Sequence, residues 1–403
     1  MTNVKKIALL GSTGSIGQST LSLCESYPER FKPVALAAGS NVDAAFEQAA
    51  RWRPRLLSMA TEALAAEVAA RLKAAGVTGV EVLHGTAGTV AVATAAEAEF
   101  VVSAIVGVSG LEATYAAVKA GKTIGLANKE CLVAAGDLIL AAAREKNVAL
   151  LPIDSEHNAV HQCLRGGAAS EVKQIWLTAS GGPFRRTPFR EFESITPAQA
   201  LKHPTWVMGR RITVDSATML NKGLEIIEAC RLFSLPPERV KVTVHPQSTI
   251  HSLVEYVDGS ILAQISVTDM RLPILYAMAS PERLPVEGRT PLTFDMTALR
   301  ELTFEPPDVV RFPCLRLAYE AAAASQAHCI ALNAADEIAV AEFLAGHLGF
   351  MDIPRTIESV LALTQAASPA SIQEVLELDL ESRERARSVI AGLRSRSRQE
   401  VTI

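Results

Sequence analysis

Three short stretches of the sequence combine residue types and spacings that chemistry can use. The first is Gly11-Ser12-Thr13-Gly14-Ser15-Ile16-Gly17, which follows the apolar run Ile7–Leu10 and opens a segment suited to a helix. Glycines at a strand-to-helix turn let the backbone bend tightly and approach a pyrophosphate, whose charge then sits at the helix N-terminus. The spacing G-x-x-G-x-x-G departs from the common G-x-G-x-x-G fingerprint, and a plain tight turn is the bland alternative. The strand–turn–helix context favours a dinucleotide. The second stretch, Asp154-Ser155-Glu156-His157-Asn158, ends the apolar run Ala149–Ile153. Two carboxylates at i and i+2 share one side of an extended segment. With no lysine nearby, they suit a hard divalent cation such as Mg²⁺ or Mn²⁺. On spacing alone, an N-cap by Asp154 or Ser155 is the plainer reading. His157 and His161 likewise read first as ordinary helix residues. The third stretch sets Asp215-Ser216 before Asn221, Lys222 and Glu225. Spacings of three and four crowd the last three onto one helical stripe. An amide, an ammonium and nearby hydroxyls can grip a phosphate, leaving Glu225 for a metal. A solvated face with a weak Lys222–Glu225 pair is the alternative.

These groups need elements to hold them. Residues 1–150 alternate short β-branched runs (Ile7–Leu10, Val34–Ala37, Glu81–Leu83, Val101–Ser103, Thr123–Leu126, Ala149–Ile153) with alanine-rich helical segments. That alternation predicts a Rossmann-like, doubly wound α/β domain with a mostly parallel sheet, and ligands outside the carboxyl ends of its strands. Its second strand ends Ala37-Ala38-Gly39-Ser40-Asn41, with no carboxylate to repel a ribose 2′-phosphate. NADP is thereby favoured over NAD. Gly121-Lys122-Thr123 resembles the end of a P-loop, but Ala116 replaces the required glycine and a strand follows instead of a helix.

From 151 to about 311 the texture suggests an α+β domain. Gly181-Gly182-Pro183 opens an aperiodic stretch to about 211 that reads as a lid. A helix at Ala217–Phe233 and strands at Val240–Val244, Ser252–Val257 and Ile261–Val267 follow, the last two joined by a hairpin at Asp258-Gly259-Ser260. Residues 312–403 read as a helical domain. Its terminal arginines (Arg383, Arg385, Arg387, Arg394, Arg396, Arg398) alternate with glutamates and lack aromatic neighbours, so a solvated helix face is favoured over a nucleic-acid tail.

Composition sets the outer limits. The chain has 403 residues, with 49% hydrophobic content and 39 Lys+Arg against 43 Asp+Glu, net −4. That balance argues against disorder and against a generic polyanion binder. No apolar run approaches the ~18 residues of a membrane span. Six scattered cysteines without paired spacing read as reduced thiols. A soluble, cytoplasmic protein with no nucleic-acid or membrane partner is expected.

In combination the motifs resemble the 1-deoxy-D-xylulose 5-phosphate reductoisomerase family. The matching stretches are Gly11–Gly17, Ala127-Asn128-Lys129-Glu130, Leu151–Asn158, Ser180–Phe184, His203-Pro204 through Trp206 to Arg210, Ser216–Glu225, His245–Ser252 and Leu332–Glu337, in family order. The resemblance implies NADPH- and metal-dependent conversion of 1-deoxy-D-xylulose 5-phosphate to 2-C-methyl-D-erythritol 4-phosphate, by retro-aldol/aldol rearrangement and reduction of the resulting aldehyde. It implies that Asp154, Glu156 and Glu225 hold one Mg²⁺, Mn²⁺ or Co²⁺. It also implies that Lys129, Ser155, Glu156 and Asn221 contact the substrate, and that Ser180, Ser216, Asn221 and Lys222 bind its phosphate. His203, Trp206 and Met208 would close over it, with His203 and Lys129 in the catalytic set. Gly11 to Gly17, Gly39, Ser40, Asn41, Asn128, Glu130 and Gly209 would hold the cofactor. A homodimer is implied as well. Many family members carry a basic residue where Ser40 stands, so Arg210 or Arg211 of the lid is the candidate replacement for the 2′-phosphate. The competing readings are an NADP-dependent sugar-phosphate dehydrogenase without rearrangement, and a catalytically silent NADP sensor.

Overall fold

The computed structural model describes residues 4–206, 208–286 and 292–400, and of 396–400 only the backbone. In chain order its first half comprises β1 (Lys5–Leu10), α1 (Ser15–Ser26), β2 (Phe31–Ala37), α2 (Val42–Trp52), β3 (Leu56–Met59), α3 (Glu62–Ala74) and β4 (Glu81–His84). There follow α4 (Gly85–Ala93), β5 (Phe100–Ser103), α5 (Leu111–Lys119), β6 (Thr123–Leu126), α6 (Glu130–Lys146), β7 (Leu150–Pro152) and α7 (Ser155–Cys163). The second half holds β8 (Val172–Ala179), α8 (Pro197–Ala200), α9 (Arg210–Ala217), α10 (Leu220–Leu232), β9 (Val240–Val244), β10 (Ile250–Tyr256) and β11 (Ile261–Ile265). Five helices complete it: α11 (Arg271–Ala279), α12 (Pro313–Ala324), α13 (Gln326–Leu344), α14 (Asp352–Ala362) and α15 (Ile372–Glu400).

Strands β1 to β7 form one parallel sheet in the order β4-β3-β2-β1-β5-β6-β7. The order reverses between β1 and β5, so the glycine loop after β1 lies where doubly wound sheets leave a crevice. The fold class read from the sequence is the one observed. Two pieces of this sheet region were not legible. β3 is only four residues long, and α4 contains two glycines that mask its helical pattern. The core here runs from Ile7 and Leu9 through Leu36, Leu57, Phe100 and Val102 to Ile153.

The contacts divide the chain into two compact units, unlike the three parts expected with boundaries at 150 and 311. Residues 269–293 fold back onto the first unit, which otherwise holds residues up to 158 except 132–136. Lys5 Nζ donates to Met278 O at 2.6 Å, and Ile274, Leu275 and Met278 join that unit's core. In the second unit the small sheet has order β11-β10-β8-β9. Its central strand β8 escaped the sequence reading, because Lys173 and Gln174 interrupt its apolar pattern. The helices α12 to α15 share one hydrophobic core with this sheet, so the separate helical domain expected from residue 312 is part of the larger unit.

The expected lid is largely anchored. Phe184 and Phe192 are buried and pack on Phe350, with ring centroids 5.3 and 6.0 Å away, and Phe192 also meets Phe312. Ile195 and Ala200 are buried too, so the core holds this segment as far as Ala200. The helix expected at Ala217–Phe233 is α10, and α9 precedes it at the end of the expected lid. Met219 adopts left-handed backbone (φ 62°) between α9 and α10. No helix among the described residues is long and apolar enough to cross a membrane.

The glycine loop gives a stability test. A Cβ on Gly17 would lie 2.4 Å from the carbonyl oxygens of both Gly11 and Ser12, which are backbone and cannot swing away. Gly17→Ala is expected to destabilise the protein by about 1–3 kcal/mol through overpacking, read as a lowered denaturant midpoint. An unchanged midpoint would contradict this packing.

Candidate active site

In the first unit the strand β1 delivers Gly11 in positive-φ backbone (86°), where an added Cβ would strike Ala104 O at 2.6 Å. Helix α1 starts after Gly14 with no side-chain cap, and Gly14 and Ser15 are exposed, so its first amides face outward. Ser12 is fully buried and its hydroxyl has no hydrogen-bond partner among the described residues. Thr13 and Ile16 flank it, half-buried. A cradle closed to side chains, open amides at a helix start and an unpartnered hydroxyl suit a dinucleotide diphosphate. At the end of β2, Gly39, Ser40 and Asn41 are exposed, and Asn41 Oδ1 caps α2 by accepting from Ala44 N at 3.0 Å. Asn128 is a loop clamp. Its amide donates to Ile105 O and Gly107 O, while its oxygen accepts from Cys131 N. With that side chain engaged, what Asn128 can offer a cofactor is the position of the β6–α6 loop, beside half-buried Glu130.

The same loop carries Lys129, which is buried and pairs with Asp154 at 2.6 Å. The absence of a nearby lysine, assumed from the sequence, therefore does not hold: chain distance concealed a spatial neighbour. Asp154 and Glu156 are also not on an extended segment. Asp154 stands at the start of α7, where its Oδ1 accepts from Glu156 N at 3.3 Å. Its other oxygen takes Lys129, so it serves as helix cap and ion-pair partner together. Ser155 donates to Glu156 Oε2 at 2.5 Å. His157 is buried with Nδ1 3.6 Å from Asp154, and Asn158 donates to Pro152 O and Pro273 O, so both fix the turn. Burial lowers the pKa of His161.

In the second unit Ser180 directly follows β8. Its hydroxyl accepts from Gly182 N at 3.2 Å and lies 3.0 Å from His203 Nε2. His203 Nδ1 accepts from the backbone amides of Thr205 (3.2 Å) and Trp206 (2.9 Å). An acceptor Nδ1 puts the proton of neutral His203 on Nε2, which then donates to Ser180. Ser180 is left with its own proton for another acceptor, such as a phosphate oxygen. Gly182 (φ 66°) passes so close to α9 that a Cβ would sit 2.7 Å from Ser216 O. Ser180 and Ser216 are thereby brought to one place.

After the left-handed turn at Met219, the first turn of α10 bears Asn221 and Lys222. Asn221 donates to Glu225 Oε1 at 2.6 Å and Lys222 Nζ binds Glu225 Oε2. Lys222 and Glu225 are both buried, so the solvated-face alternative does not hold here. Such a pair depends on both partners, because a lone buried charge is costly. On the stretch after Ala200, Trp206 meets His251 edge-on with ring centroids 6.3 Å apart, and Met208 is half-buried. Gly209 caps α9, its carbonyl accepting from Thr213.

Some groups were not foreseen. Buried His251 against Trp206 lay inside the quoted stretch His245–Ser252, but no spacing rule marked it. Arg211 is not available for a 2′-phosphate. Its Nη1 donates to Glu337 Oε1 (2.7 Å), and its Nη2 donates to Asn333 Oδ1 (2.9 Å) and Asp336 Oδ2 (3.2 Å). None of the six cysteines is in a disulfide, and burial pushes Cys24 up to about 12, as expected of reduced core thiols.

Comparison with known proteins agrees along the chain. Family models described as 1-deoxy-D-xylulose 5-phosphate reductoisomerase, and as its two C-terminal domains, match residues 7–136, 150–233 and 265–385. The reductoisomerase of Methylococcus capsulatus is 50% identical over 396 residues, covering 97% of this chain and 100% of that one. That of Geobacter metallireducens is 50% identical over 387 residues, covering 96% and 99%. Among solved structures, the Zymomonas mobilis enzyme in complex with NADPH superposes with a TM-score of 0.89 at 43% identity, covering 96% of this chain and 99% of that one. A reductoisomerase in complex with NADPH, fosmidomycin and magnesium gives 0.91 at 39% identity, covering 97% and 99%. This chain belongs to the 1-deoxy-D-xylulose 5-phosphate reductoisomerase family.

Proposed function

We propose that this chain catalyses the NADPH- and divalent-metal-dependent reductive isomerisation of 1-deoxy-D-xylulose 5-phosphate to 2-C-methyl-D-erythritol 4-phosphate, a step in non-mevalonate isoprenoid precursor biosynthesis. Its family membership over nearly the whole length carries this reading. Relatives described in complex with NADPH and with magnesium support the cofactors. Asp154, Glu156 and Glu225 form an all-oxygen donor set suited to a hard cation, and we assign them to one Mg²⁺, Mn²⁺ or Co²⁺. Once bound, the cation supplies Lewis acidity at the ketone and hydroxyl oxygens during rearrangement, and NADPH supplies the hydride for the aldehyde.

The chain's own residues bind and orient. Ser180, Ser216, Asn221 and Lys222 take the substrate phosphate. His203 holds the Ser180 hydroxyl through Nε2–H and so sets where that hydroxyl donates. Lys129, Ser155 and Glu156 contact the substrate's oxygens. Trp206 and Met208 cover the substrate and exclude water from the reactive aldehyde. Residues Gly11 to Gly17 take the diphosphate of NADPH, and Gly39, Ser40 and Asn41 its ribose end through amides and hydroxyls. Glu130 and Gly209 complete the cofactor set. The end of β2, Ala37 to Asn41, holds no carboxylate, which supports NADPH over NADH. We further propose a cytoplasmic homodimer. The outer strand β11, with Ile261 and Leu262 exposed, is its candidate edge.

NADPH oxidation should require both deoxyxylulose 5-phosphate and Mg²⁺ or Mn²⁺, and yield the branched polyol phosphate. An unbranched product would overturn the isomerisation. Glu225→Gln is expected to lower kcat/KM about a thousandfold while leaving NADPH affinity nearly unchanged. Retained turnover would remove Glu225 from the metal set. The kcat/KM ratio of NADPH to NADH should be about tenfold or more, and a ratio near one would contradict the cofactor assignment.

A further inference from the structure

Leu332–Glu337 is a matching stretch that the proposed reaction leaves without a role. The structure supplies a setting for it. Arg211, on the first turn of α9, reaches three side chains of α13: Asn333, Asp336 and Glu337. Its Nε also lies 3.5 Å from Asp215 Oδ2 on its own helix. The other oxygen of Glu337 takes Arg383 of α15, whose Nε donates to Asp379 at 2.6 Å. Four carboxylates and two guanidiniums thus link α9, α13 and α15 within the second unit. Asp336 is fully buried, and Asp215 and Asp379 nearly so. Burial pushes the Asp336 carboxyl up to about 6 against the pull of Arg211.

Acids outnumber guanidiniums here, so the cluster holds together only through its arginines. Arg211 is the member with the most to fix. A guanidinium bonded to three acceptors in different directions sets both the rotation and the axial position of its helix, which a lysine ammonium cannot do in the same way. Five residues along α9 is Ser216, and the left-handed turn at Met219 then starts α10 with Asn221 and Lys222. Any turn of α9 moves all three.

We propose that Arg211, held by Asn333, Asp336 and Glu337 and braced by Arg383, is a positioning residue that sets the phosphate-binding groups Ser216, Asn221 and Lys222 from the C-terminal helices. This rests on the phosphate assignment made above. It gives α13 and α15 a part in substrate affinity, and it accounts for Arg383 turning inward when the terminal arginines read as a solvated face.

Arg211→Lys keeps the charge but not the fork, and Asp336→Asn keeps the shape but not the charge. Both are compared with the wild type in substrate KM, kcat, NADPH affinity and melting midpoint. Arg211→Lys should raise the KM for deoxyxylulose 5-phosphate about tenfold, with kcat and NADPH affinity within about twofold. Asp336→Asn should shift KM in the same direction by a smaller factor. A lowered melting midpoint with KM unchanged in both variants would make the network merely structural and overturn the proposal. If Arg211→Lys does not fold, Asp336→Asn alone decides on the same criterion. A wild type that turns over no deoxyxylulose phosphate defeats the functional reading instead, so the two failures are distinct.

Discussion

A carboxylate withdrawn from water needs a cation beside it, and that requirement organises the functional residues of both units. Asp154 is held against Lys129 and Glu225 against Lys222, each pair largely buried. Two of the acids proposed to hold a metal, Asp154 and Glu225, are therefore oriented by lysines that pair with them. The pairs also explain why the net charge of −4 does not forbid two phosphate-bearing ligands. On the proposed assignments, attraction is local, from Lys129, Lys222 and the first turn of α1, and not from the field of the whole molecule.

The constraint recurs further from the chemistry. Asp215, Asp336, Glu337 and Asp379 crowd one region of the second unit and are held by Arg211 and Arg383. Packing acts beside it. Phe184 and Phe192 anchor the part of the segment between β8 and α9 that precedes the stretch with His203, Trp206 and Met208. A short stretch between two pinned ends can close without disturbing the core on either side.

Much of this was legible in the sequence. The alternation of β-branched runs with alanine-rich helices announced the parallel sheet, and the glycine loop announced the turn from β1 into α1, because both signals are local. Eight motifs in order announced the family. What escaped was non-local or cryptic. Lys129 lies 25 residues before Asp154, so only the fold shows their pairing. Strand β8 hides its pattern behind Lys173 and Gln174. Residues 269–293 return to the first unit across more than a hundred residues of intervening chain, and no composition shift marks that return. Arg383 read as one more solvated arginine, since its partner Glu337 sits 46 positions away.

The central claim is that Asp154, Glu156 and Glu225 together hold one divalent cation. Mn²⁺ titration followed by electron paramagnetic resonance, in the presence of NADPH, tests it directly. The account predicts one tight Mn²⁺ per chain in the wild type, lost in both Asp154→Asn and Glu225→Gln while each variant still binds NADPH. Undiminished Mn²⁺ binding in either variant would contradict it.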